Sequence, residues 1–580
     1  AEDGFKGYVL ASRWRLELSD TTAWKNGQKV TVKNPIVWYV DNSFPQSWKA
    51  PIKEGVLAWN RAFEAIGLKD VMQVRDFPAA DEDPQFDPDN LKYSCIRYVP
   101  DATMNAMGPS WVDPVTGEIL NASVLVYNDI IKLINNWRFV QTSQVDERVR
   151  AVKMPQDIID ESMVYVISHE IGHTLGLMHN MGASSAYPTD MLRDAAFTSD
   201  HGTTPSIMDY ARFNYVAQPG DKGVKLVPPA LGVYDEYAIK WLYTPVPEAK
   251  DIWEEAAIAG KIIDDKAGDP LYRYGAQQVT NSASYGTYDP SARTEDLGDD
   301  PIKSSDYGIK NLKYILPRMN EWLGSDDKDF THRGALYTQL TNQYYRYIGN
   351  VLAQVGGIYL NNVKDGSAVK PSVPVARKVQ KASLKWVVSQ LCSSSWINEP
   401  SVTSNLPLAT PESNKICAVV AKSLVSTVPN NVMLSAAVPG VSRPYTIKDY
   451  YDDLYTEVFA SSIAGRKLAS EERTLQREVL MASSKDVKSV LSRSFAEETD
   501  KYLDGSDWCS YDACNLGEGQ PPFQKAVSVL TIDESDGCRI LFLNKVKALC
   551  LSRRYSASSE DKAHYEFLLA RVNSALQNQK

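Results

Sequence analysis

The chain has 580 residues, of which 43% are hydrophobic and 23% charged, and its formal net charge is −10. This length and composition predict a folded protein of roughly two to four domains. The acidic balance without Lys/Arg-rich runs disfavours nucleic-acid binding, and no apolar run approaches the ~18 residues that a transmembrane helix needs.

Residues 1–35 are interpreted as an N-terminal lead-in segment. The chain starts at Ala1 with neither an initiator methionine nor a signal peptide. We expect that processing or trimming has removed an upstream segment, which held a signal, a lipid anchor or a propeptide.

A strand followed by an amphipathic helix opens the next part of the chain. Ile36 to Val40 is a β-rich run, and apolar residues then recur at helical steps from Ile52 to Ile66, with Gly67 ending the helix. The pattern predicts further strands before the next helix, at residues 71–74, 94–99, 106–112 and 119–127.

The next predicted helix, Asp157 to about Leu177, has apolar residues at three- and four-residue steps and therefore a buried face. We expect Asp157 or Asp160 to cap its first turn. His169 and His173 are four residues apart on one helix face, where two imidazoles can hold one tetrahedral metal ion.

A third ligand is expected just after this helix. The next helical turn would crowd the metal, so the chain must bend sharply, and Gly176 permits the left-handed conformation that ends helices. His179 follows three residues later as the remaining ligand. Three protein ligands leave one position open, which is typical of a catalytic zinc site, and the sequence has no C-x-x-C pair of a zinc finger.

Glu170 is predicted to lie beside the metal rather than to bind it. Zinc lowers the pKa of a bound water to about 7. A carboxylate within hydrogen-bond reach can take the proton of that water as it attacks a carbonyl. We therefore predict that Glu170 is the general base.

The motif H-E-x-x-H-x-x-G-x-x-H at residues 169–179, followed by Ser-Ile-Met-Asp-Tyr at 206–210, resembles the metzincin clan of zinc peptidases. The resemblance implies that Met208 lies in a Met-turn, an apolar floor beneath the histidines. Astacin-like, serralysin-like and pappalysin-like members carry a tyrosine two positions later. Tyr210 is therefore expected to approach zinc or the oxyanion, with a core tyrosine as the alternative.

The residue after the third histidine often labels a branch of this clan, and Asn180 marks none of the major branches. Residues 58–67, Ala-Trp-Asn-Arg-Ala-Phe-Glu-Ala-Ile-Gly, are similar to a family of large secreted metzincins from Bacteroidetes-type bacteria. That resemblance covers most of the chain and implies a secreted, periplasmic or cell-surface protein. Motifs of known chemistry reach only to about Tyr243.

The metzincin resemblance also implies an α+β fold in which a mixed sheet lies over two helices. Its antiparallel edge strand would pair with an extended peptide substrate above the metal. By position, Ala106 to Val112 is the candidate edge, with Gly108, Ser110 and Trp111 as candidate substrate-binding residues. Pro109 is compatible with an edge strand but not with a central one, and an ordinary hairpin is the alternative.

Residues 231–243 are similar to the D-x-x-A-I-x-x-L-Y helix that closes many metzincin catalytic domains, so the peptidase domain is predicted at 36–244. Asp235 in this helix is expected either to be hydrogen-bonded beneath the Met-turn or to face solvent. Residues 245–335 are predicted to be an irregular linker layer, because 269–310 are rich in Asp, Gly, Ser and Tyr with little periodicity.

Residues 336–580 are predicted to form a mainly α-helical C-terminal domain. They contain no catalytic motif, so support of the cleft, partner binding and domain docking all stay open as its role. The helical patterns cover residues 337–360, 375–391, 447–463, 471–498, 524–551 and 559–576.

Cysteines and acidic clusters add little to this prediction. Six of the seven cysteines lie in the C-terminal half, where disulfides and buried thiols are equally expected; Cys95 stands apart. Acidic clusters at residues 81–89 and 296–300 offer oxygen ligands that suit Ca²⁺, although solvated loop charge is the favoured interpretation.

The sequence therefore predicts a secreted zinc endopeptidase that acts on protein or peptide substrates. One Zn²⁺ ion is held by His169, His173 and His179, with Glu170 as base and Tyr210 on the oxyanion. Two alternatives use the same zinc site. The first is a surface binding module with little turnover, and the second is a hydrolase of non-peptide amides or esters.

Overall fold

Two hydrophobic cores organise the protein, which is seen in a computed structural model that describes residues 8–276, 288–483, 533–555 and 558–577. The smaller core lies between a sheet and the helix that carries the histidine motif. The larger core starts near Phe139 and continues through the helices of the C-terminal half.

A six-stranded mixed sheet forms one layer of the N-terminal half. Its strands are β1 (Ile36–Val40), β2 (Met72–Asp76), β3 (Ser94–Val99), β4 (Ala106–Met107), β5 (Ser110–Val112) and β6 (Ile119–Tyr127). The order is β2-β1-β3-β6-β4, and β5 also pairs with β6. The first three strands run parallel to β6, whereas β4 and β5 run antiparallel to it. The sheet therefore has the predicted antiparallel edge. The strand predicted at 106–112 is split into two short strands, β4 and β5.

Helices α2 and α5 pack along each other beneath this sheet. Gly55 of α2 makes the approach possible, because a Cβ there would lie 2.8 Å from Ile167 Cβ. The helices of this half are α1 (Thr21–Lys25), α2 (Gln46–Leu57), α3 (Asn60–Glu64), α4 (Ile130–Thr142), α5 (Gln156–Thr174), α6 (Ala195–His201) and α7 (Val233–Tyr243).

The predicted caps of α5 are wrong. The residue before the helix is Pro155, whose φ of −59° already suits a helical start, and no side chain caps the first turn. Asp157 instead lies inside that turn and pairs with Arg148 at 2.5 Å. Asp160 accepts a hydrogen bond from the Gln156 side chain.

Helix α4 was not predicted, although Ile130, Leu133, Ile134 and Trp137 recur at helical spacing and were the available signal. The polar residues Asn136, Arg138 and Gln141 are buried as well. The helix contacts both α9 (Pro301–Ile315) and α11 (Thr331–Leu352).

The predicted irregular linker at 245–335 instead contains several helices among its described residues. It contains α8 (Ile252–Asp264), α9 (Pro301–Ile315) and α10 (Met319–Leu323). Asp300 caps α9 by accepting from the Lys303 amide, and Pro301 occupies the first turn. An Asp-Pro pair of this kind is a helix-start signal, which the polar composition of the segment hid.

The C-terminal part is mainly helical, as predicted. Its helices are α11 (Thr331–Leu352), α12 (Arg377–Cys392), α13 (Pro400–Thr403), α14 (Glu412–Val425), α15 (Thr427–Ala437), α16 (Ile447–Val458), α17 (Ala460–Ile463), α18 (Ser470–Ser483), α19 (Asp533–Arg553) and α20 (Ser559–Gln577). Helices α14 and α15 were not predicted.

One predicted helix ends early, and two other predicted helices fall partly on residues that the structure does not describe. The helix predicted at 337–360 stops at Leu352, and strand β7 (Ile358–Leu360) follows it and pairs with β8 (Ser372–Pro374). The distal part of the helix predicted at 471–498 and the start of that at 524–551 lie outside the described residues.

The larger core crosses the predicted domain border at residue 244. It joins Ile158 of α5 and Tyr215 to Leu340 and Tyr347 of α11 in one cluster of buried side chains. The helical part is therefore packed against the back of the half that carries the histidine motif. The domain boundaries themselves stay predictions.

One described stretch, Glu412–Ala437, is long and apolar enough to cross a membrane by length and composition. Half of it is buried inside the structure. Ile416, Val420 and Leu424 belong to the larger core, so its apolar composition is that of a helix packed inside the protein.

Three of the described cysteines, Cys95, Cys417 and Cys550, are buried free thiols, so the alternative of buried thiols holds for them. Cys392 is a partly buried free thiol. Burial raises the pKa of Cys95 and Cys417 to about 12, which keeps both thiols protonated and unreactive. Cys509 and Cys514 lie outside the described residues.

Candidate metal centre

The last turn of α5 brings the first two histidines to the surface of the smaller core. The helix ends because two side chains take its free carbonyls: Trp14 Nε1 donates to Thr174 O at 2.7 Å, and the Tyr243 hydroxyl donates to Leu175 O at 2.8 Å. Gly176 then turns the chain with a φ of +90°. A Cβ on Gly176 would also lie 1.9 Å from Ser12 O, so the bend admits only glycine.

This bend brings the three predicted ligands together. The Nε2 atoms of His169, His173 and His179 lie 3.1–3.2 Å from one another, and all three residues are buried. Nitrogen ligands about 2.0–2.1 Å from a tetrahedral zinc ion are expected roughly 3.3 Å apart. The triangle therefore fits zinc.

Two of the rings are oriented by backbone carbonyls. His169 Nδ1 lies 2.7 Å from Ile207 O, and His173 Nδ1 lies 2.9 Å from Leu177 O. Each carbonyl can only accept, so each Nδ1 carries the hydrogen and each Nε2 offers a lone pair. Burial lowers the pKa of His173 to about 4 and that of His169 well below its usual value, which keeps both imidazoles neutral at neutral pH.

Glu170 is fully buried beside the histidine triangle. Neither of its carboxylate oxygens has a hydrogen-bond partner among the residues that the structure describes. Burial raises the pKa of this carboxyl to about 8, and the Arg212 guanidinium opposes the rise. A buried carboxyl without a protein partner is costly, so this position favours a ligand or a reacting group that takes up the free oxygens.

Met208 packs against α5 at Gly172. A Cβ on Gly172 would lie 2.3 Å from Met208 Sδ, so the methionine fills the space where a side chain would be. The backbone O of Met208 accepts from the Asn180 amide at 3.0 Å, which ties the methionine to the residue after the third ligand.

Gly172 is a site residue that the sequence prediction missed. It occupies a variable position of the motif, although a glycine inside a helix costs about 1 kcal/mol relative to alanine. That cost was the available signal of a packing role.

Asp235 holds the segment before Met208 in place. Its carboxylate accepts from Ser206 Oγ at 2.7 Å, from the Ile207 amide at 2.8 Å and from the Gly232 amide at 2.7 Å. The residue is fully buried, so the hydrogen-bonded alternative holds and the solvent-facing one does not.

Tyr210 packs against two of the histidine rings. Its ring centroid lies 4.5 Å from that of His179 and 5.5 Å from that of His169, and the side chain is fully buried. The predicted oxyanion residue therefore lies at the metal centre.

Asn180 holds a downstream segment beside the metal centre. Its side-chain Nδ2 donates to Arg273 O at 3.0 Å, and its Oδ1 accepts from the Gly275 backbone amide at 2.8 Å. Its backbone also forms an antiparallel bridge with Ala276. The residue after the third ligand, which often labels a branch of the clan, therefore connects His179 to residues 273–276, beyond the predicted peptidase domain.

The candidate edge of the sheet reaches the general-base candidate. A Cβ on Gly108 would lie 2.6 Å from Glu170 O and 3.3 Å from Glu170 Oε2, so this glycine runs directly over the glutamate. Ser110 Oγ is buried without a hydrogen-bond partner in the described structure, and the Trp111 side chain is 45% exposed. Gly108 thus lies next to Glu170, and Ser110 and Trp111 lie in β5 of the same edge, whereas peptide binding itself stays a prediction.

The acidic clusters are occupied by protein donors. Asp299 accepts from the amide and hydroxyl of Thr189, and Asp300 caps α9. In the other cluster, Asp83 accepts from the Tyr93 hydroxyl at 2.7 Å. Within the described residues, the metal-binding geometry found is that of the three histidines, and calcium binding stays a prediction.

A family model described as Met-zincin matches residues 151–465. The match starts just before α5 and ends after α17, so it covers the histidine triangle together with much of the helical part. No curated protein and no solved structure is significantly similar to the chain.

Proposed function

The chain belongs to the Met-zincin family of zinc-dependent peptidases, and on this premise we propose that it is an endopeptidase with Glu170 as its general base. The observation that carries the proposal is the buried Glu170 carboxylate, which has no hydrogen-bond partner among the described residues and lies next to three converging imidazole nitrogens.

His169, His173 and His179 would hold the zinc ion, since their three Nε2 atoms converge. When bound, zinc polarises the carbonyl of the scissile bond and lowers the pKa of a water molecule to about 7. Met208 would support the histidines from below, as the floor that a Met-turn provides, without touching the substrate.

Glu170 would move the proton. Its carboxylate takes a proton from the attacking water as the C–O bond forms, and it then donates that proton to the leaving nitrogen as the C–N bond breaks. The carboxylate must be ionised to begin this cycle. The nearby Arg212 charge favours that form, and a divalent cation at the histidines would favour it further.

Tyr210 would stabilise the oxyanion. Its ring is fixed against those of His169 and His179, so its hydroxyl can serve as a donor to the negative charge that develops on the carbonyl oxygen. Such a donor acts mainly in the transition state, so its loss should lower kcat more than it raises KM.

An extended peptide would pair with the sheet edge formed by β4 and β5. Gly108 leaves the backbone bare above Glu170, Ser110 offers a hydroxyl, and Trp111 presents an aromatic surface for a substrate side chain. Backbone pairing of this kind tolerates many sequences, which suits an enzyme that cleaves inside protein chains.

The two alternatives differ from this proposal in a testable way. A binding module does not need a buried carboxylate without a partner, because such a group costs stability and contributes only to chemistry. A hydrolase of non-peptide amides or esters would use the same residues.

Location outside the cytoplasm is likewise a proposal, which rests on the family resemblance.

The decisive experiment is cleavage mapping of a diverse peptide library by mass spectrometry, with the zinc content of each protein measured first. Wild type should cut at internal bonds, and Glu170→Ala should retain zinc but make no cuts. Equal activity of the two proteins would exclude Glu170 as the base. A zinc-loaded wild type that cuts no peptide but hydrolyses members of an amide and ester panel would replace the proposal with the second alternative.

A further inference from the structure

A cluster of buried charges lies against Tyr210. The Arg212 side chain is fully buried, and its guanidinium carbon lies 4.1 Å from the centroid of the Tyr210 ring. The same carbon lies 4.2 Å from the Trp137 ring of α4. The guanidinium thus contacts both aromatic rings.

Glu295 links this arginine to the helical part. Its side chain is fully buried, and its Oε1 accepts from Arg346 Nη1 of α11 at 2.6 Å, while Arg212 Nε lies 3.9 Å from the same oxygen. The backbone amide of Glu295 also donates to Tyr210 O at 3.0 Å. One residue therefore contacts the Tyr210 backbone, the arginine on its ring and a helix of the C-terminal part.

Further hydrogen bonds hold both sides of this arrangement. Gln141 of α4 donates to Glu295 Oε2 at 2.7 Å and accepts from the Phe213 amide at 3.0 Å. Asn350 of α11 donates to the backbone O of Glu295 at 2.9 Å. The segment from Tyr210 to Phe213 is thus fixed by two helices at once.

The backbone at the two central residues is strained. Arg212 has a φ of +55° and Glu295 a φ of +58°, which are two of the four positive values among described residues other than glycine. Side chains other than glycine adopt this region at a cost, and such residues persist where the surrounding structure fixes them, often at functional sites.

Stability alone does not account for three buried charges. Removing charges from water is costly, and apolar residues of similar size often serve a core as well or better. What the charges add is direction, because a guanidinium that contacts two aromatic rings and pairs with a buried carboxylate is restricted in its position.

We propose that Arg212, Glu295 and Arg346 are positioning residues, through which helix α11 fixes Tyr210 in its place at the metal centre. The inference rests on the proposed oxyanion role of Tyr210. The helical part would then be required for catalysis, so the chain up to residue 244 would not be a complete enzyme.

The test is a double-mutant cycle between the cluster and Tyr210. Glu295→Gln and Arg212→Lys are each made in the wild-type and Tyr210→Phe backgrounds, and zinc content, kcat and KM are measured on a peptide that wild type cleaves. We expect each cluster variant to lower kcat by about tenfold in the wild-type background, with KM and zinc unchanged. In the Tyr210→Phe background the same change should have almost no effect, because the residue it positions has already lost its hydroxyl.

A matched control comes from the same helix. Asp327 accepts from Arg333 Nε at 3.0 Å in a buried ion pair at the start of α11. Asp327→Asn should lower the melting temperature and leave kcat unchanged. If Glu295→Gln does not fold, the double variant Glu295→Gln/Arg346→Gln, which removes both charges, replaces it.

Each outcome decides between the two proposals. A loss of kcat in Tyr210→Phe together with wild-type kcat in folded Glu295→Gln and Arg212→Lys would overturn the positioning role alone. Equal losses in both backgrounds would do the same, because they would show a general structural effect. An unchanged kcat in Tyr210→Phe would overturn the proposed role of Tyr210, and with it this inference.

Discussion

Two regions that contact Tyr210 use buried glutamates in opposite ways. In the metal centre, Glu170 is fully buried and its two oxygens meet no hydrogen-bond donor within the described chain. In the cluster against the tyrosine, Glu295 is equally buried, but arginine and glutamine side chains take both of its oxygens. A carboxylate held by partners fixes a position, whereas one left without them is available to accept a proton.

The difference also appears in the backbone around each residue. Glu170 lies in the middle of a regular helix turn, where its direction follows from helix geometry alone. Glu295 has a positive φ and depends on Gln141, Arg346 and Asn350 to stay in place. The metal centre is therefore built from local sequence, and the cluster is built from long-range contacts.

The largest expected effect removes a ligand from the metal centre. His173→Ala leaves two imidazoles, and zinc affinity should fall by more than about 100-fold, since even the outer partners of a ligand contribute about 10–100-fold. Zinc content after dialysis and peptide cleavage would measure the loss. His201→Ala, an exposed histidine at the end of α6, is the matched control and should keep both. Stoichiometric zinc in His173→Ala would contradict the assignment.

Removing the unpaired carboxylate should leave the metal in place. Glu170→Ala is expected to lower kcat by about 10²–10⁴-fold, the usual contribution of a general base, with zinc retained. The kcat values of both proteins on one cleavable peptide, each normalised to zinc content, check this. A loss of zinc from Glu170→Ala would instead make the glutamate part of the metal shell.

The convergence of the three histidines was the part of the structure that the sequence predicted well. The four-residue spacing of His169 and His173 places both side chains on one face of a periodic helix. Gly176 indicates the bend after which His179 comes back toward them. Each of these signals acts over one or two helical turns, so no tertiary information is needed to interpret them.

The cluster against Tyr210 could not be predicted in this way. Arg212, Glu295 and Arg346 lie far apart in the chain, and a single charged residue in a polar stretch is normally solvated. Only the packing of α4 and α11 against the metal centre buries them. Helix α9 was missed for a different reason, since its Asp300-Pro301 start signal lay in a stretch whose polar composition favoured a loop.

Stability measurements would sharpen the contrast between the two glutamates. Glu295→Gln should lower the free energy of unfolding by about 3–5 kcal/mol, because it leaves buried arginine charge without its counter-charge. Glu170→Gln should not lower it and should instead raise it, because no described protein partner is lost and the cost of burying an unpaired carboxyl is removed. Denaturant unfolding in the presence of a chelator compares the two variants without a contribution from bound zinc. Equal losses would remove the distinction between a paired and an unpaired carboxylate.

The smallest expected effect concerns an ion pair in the helical part that is only half-buried. Asp449 caps α16 and accepts two hydrogen bonds from Arg377, which hold the pKa of this carboxyl well below its usual range. The pair is partly exposed, so Asp449→Asn should cost only about 1 kcal/mol at pH 7.

The sign of the pH dependence follows from which form the fold favours. Because the ionised form of Asp449 is favoured in the folded state, its contribution is complete above about pH 5 and is lost progressively as the pH falls from there through the lowered pKa of the folded state. The difference in unfolding free energy between wild type and Asp449→Asn should therefore shrink between pH 6 and pH 3. A difference that stays constant over this range would assign the loss to hydrogen bonds that asparagine cannot replace. The charge of this partly exposed pair would then add nothing measurable to stability, in contrast to the buried charge of Glu295.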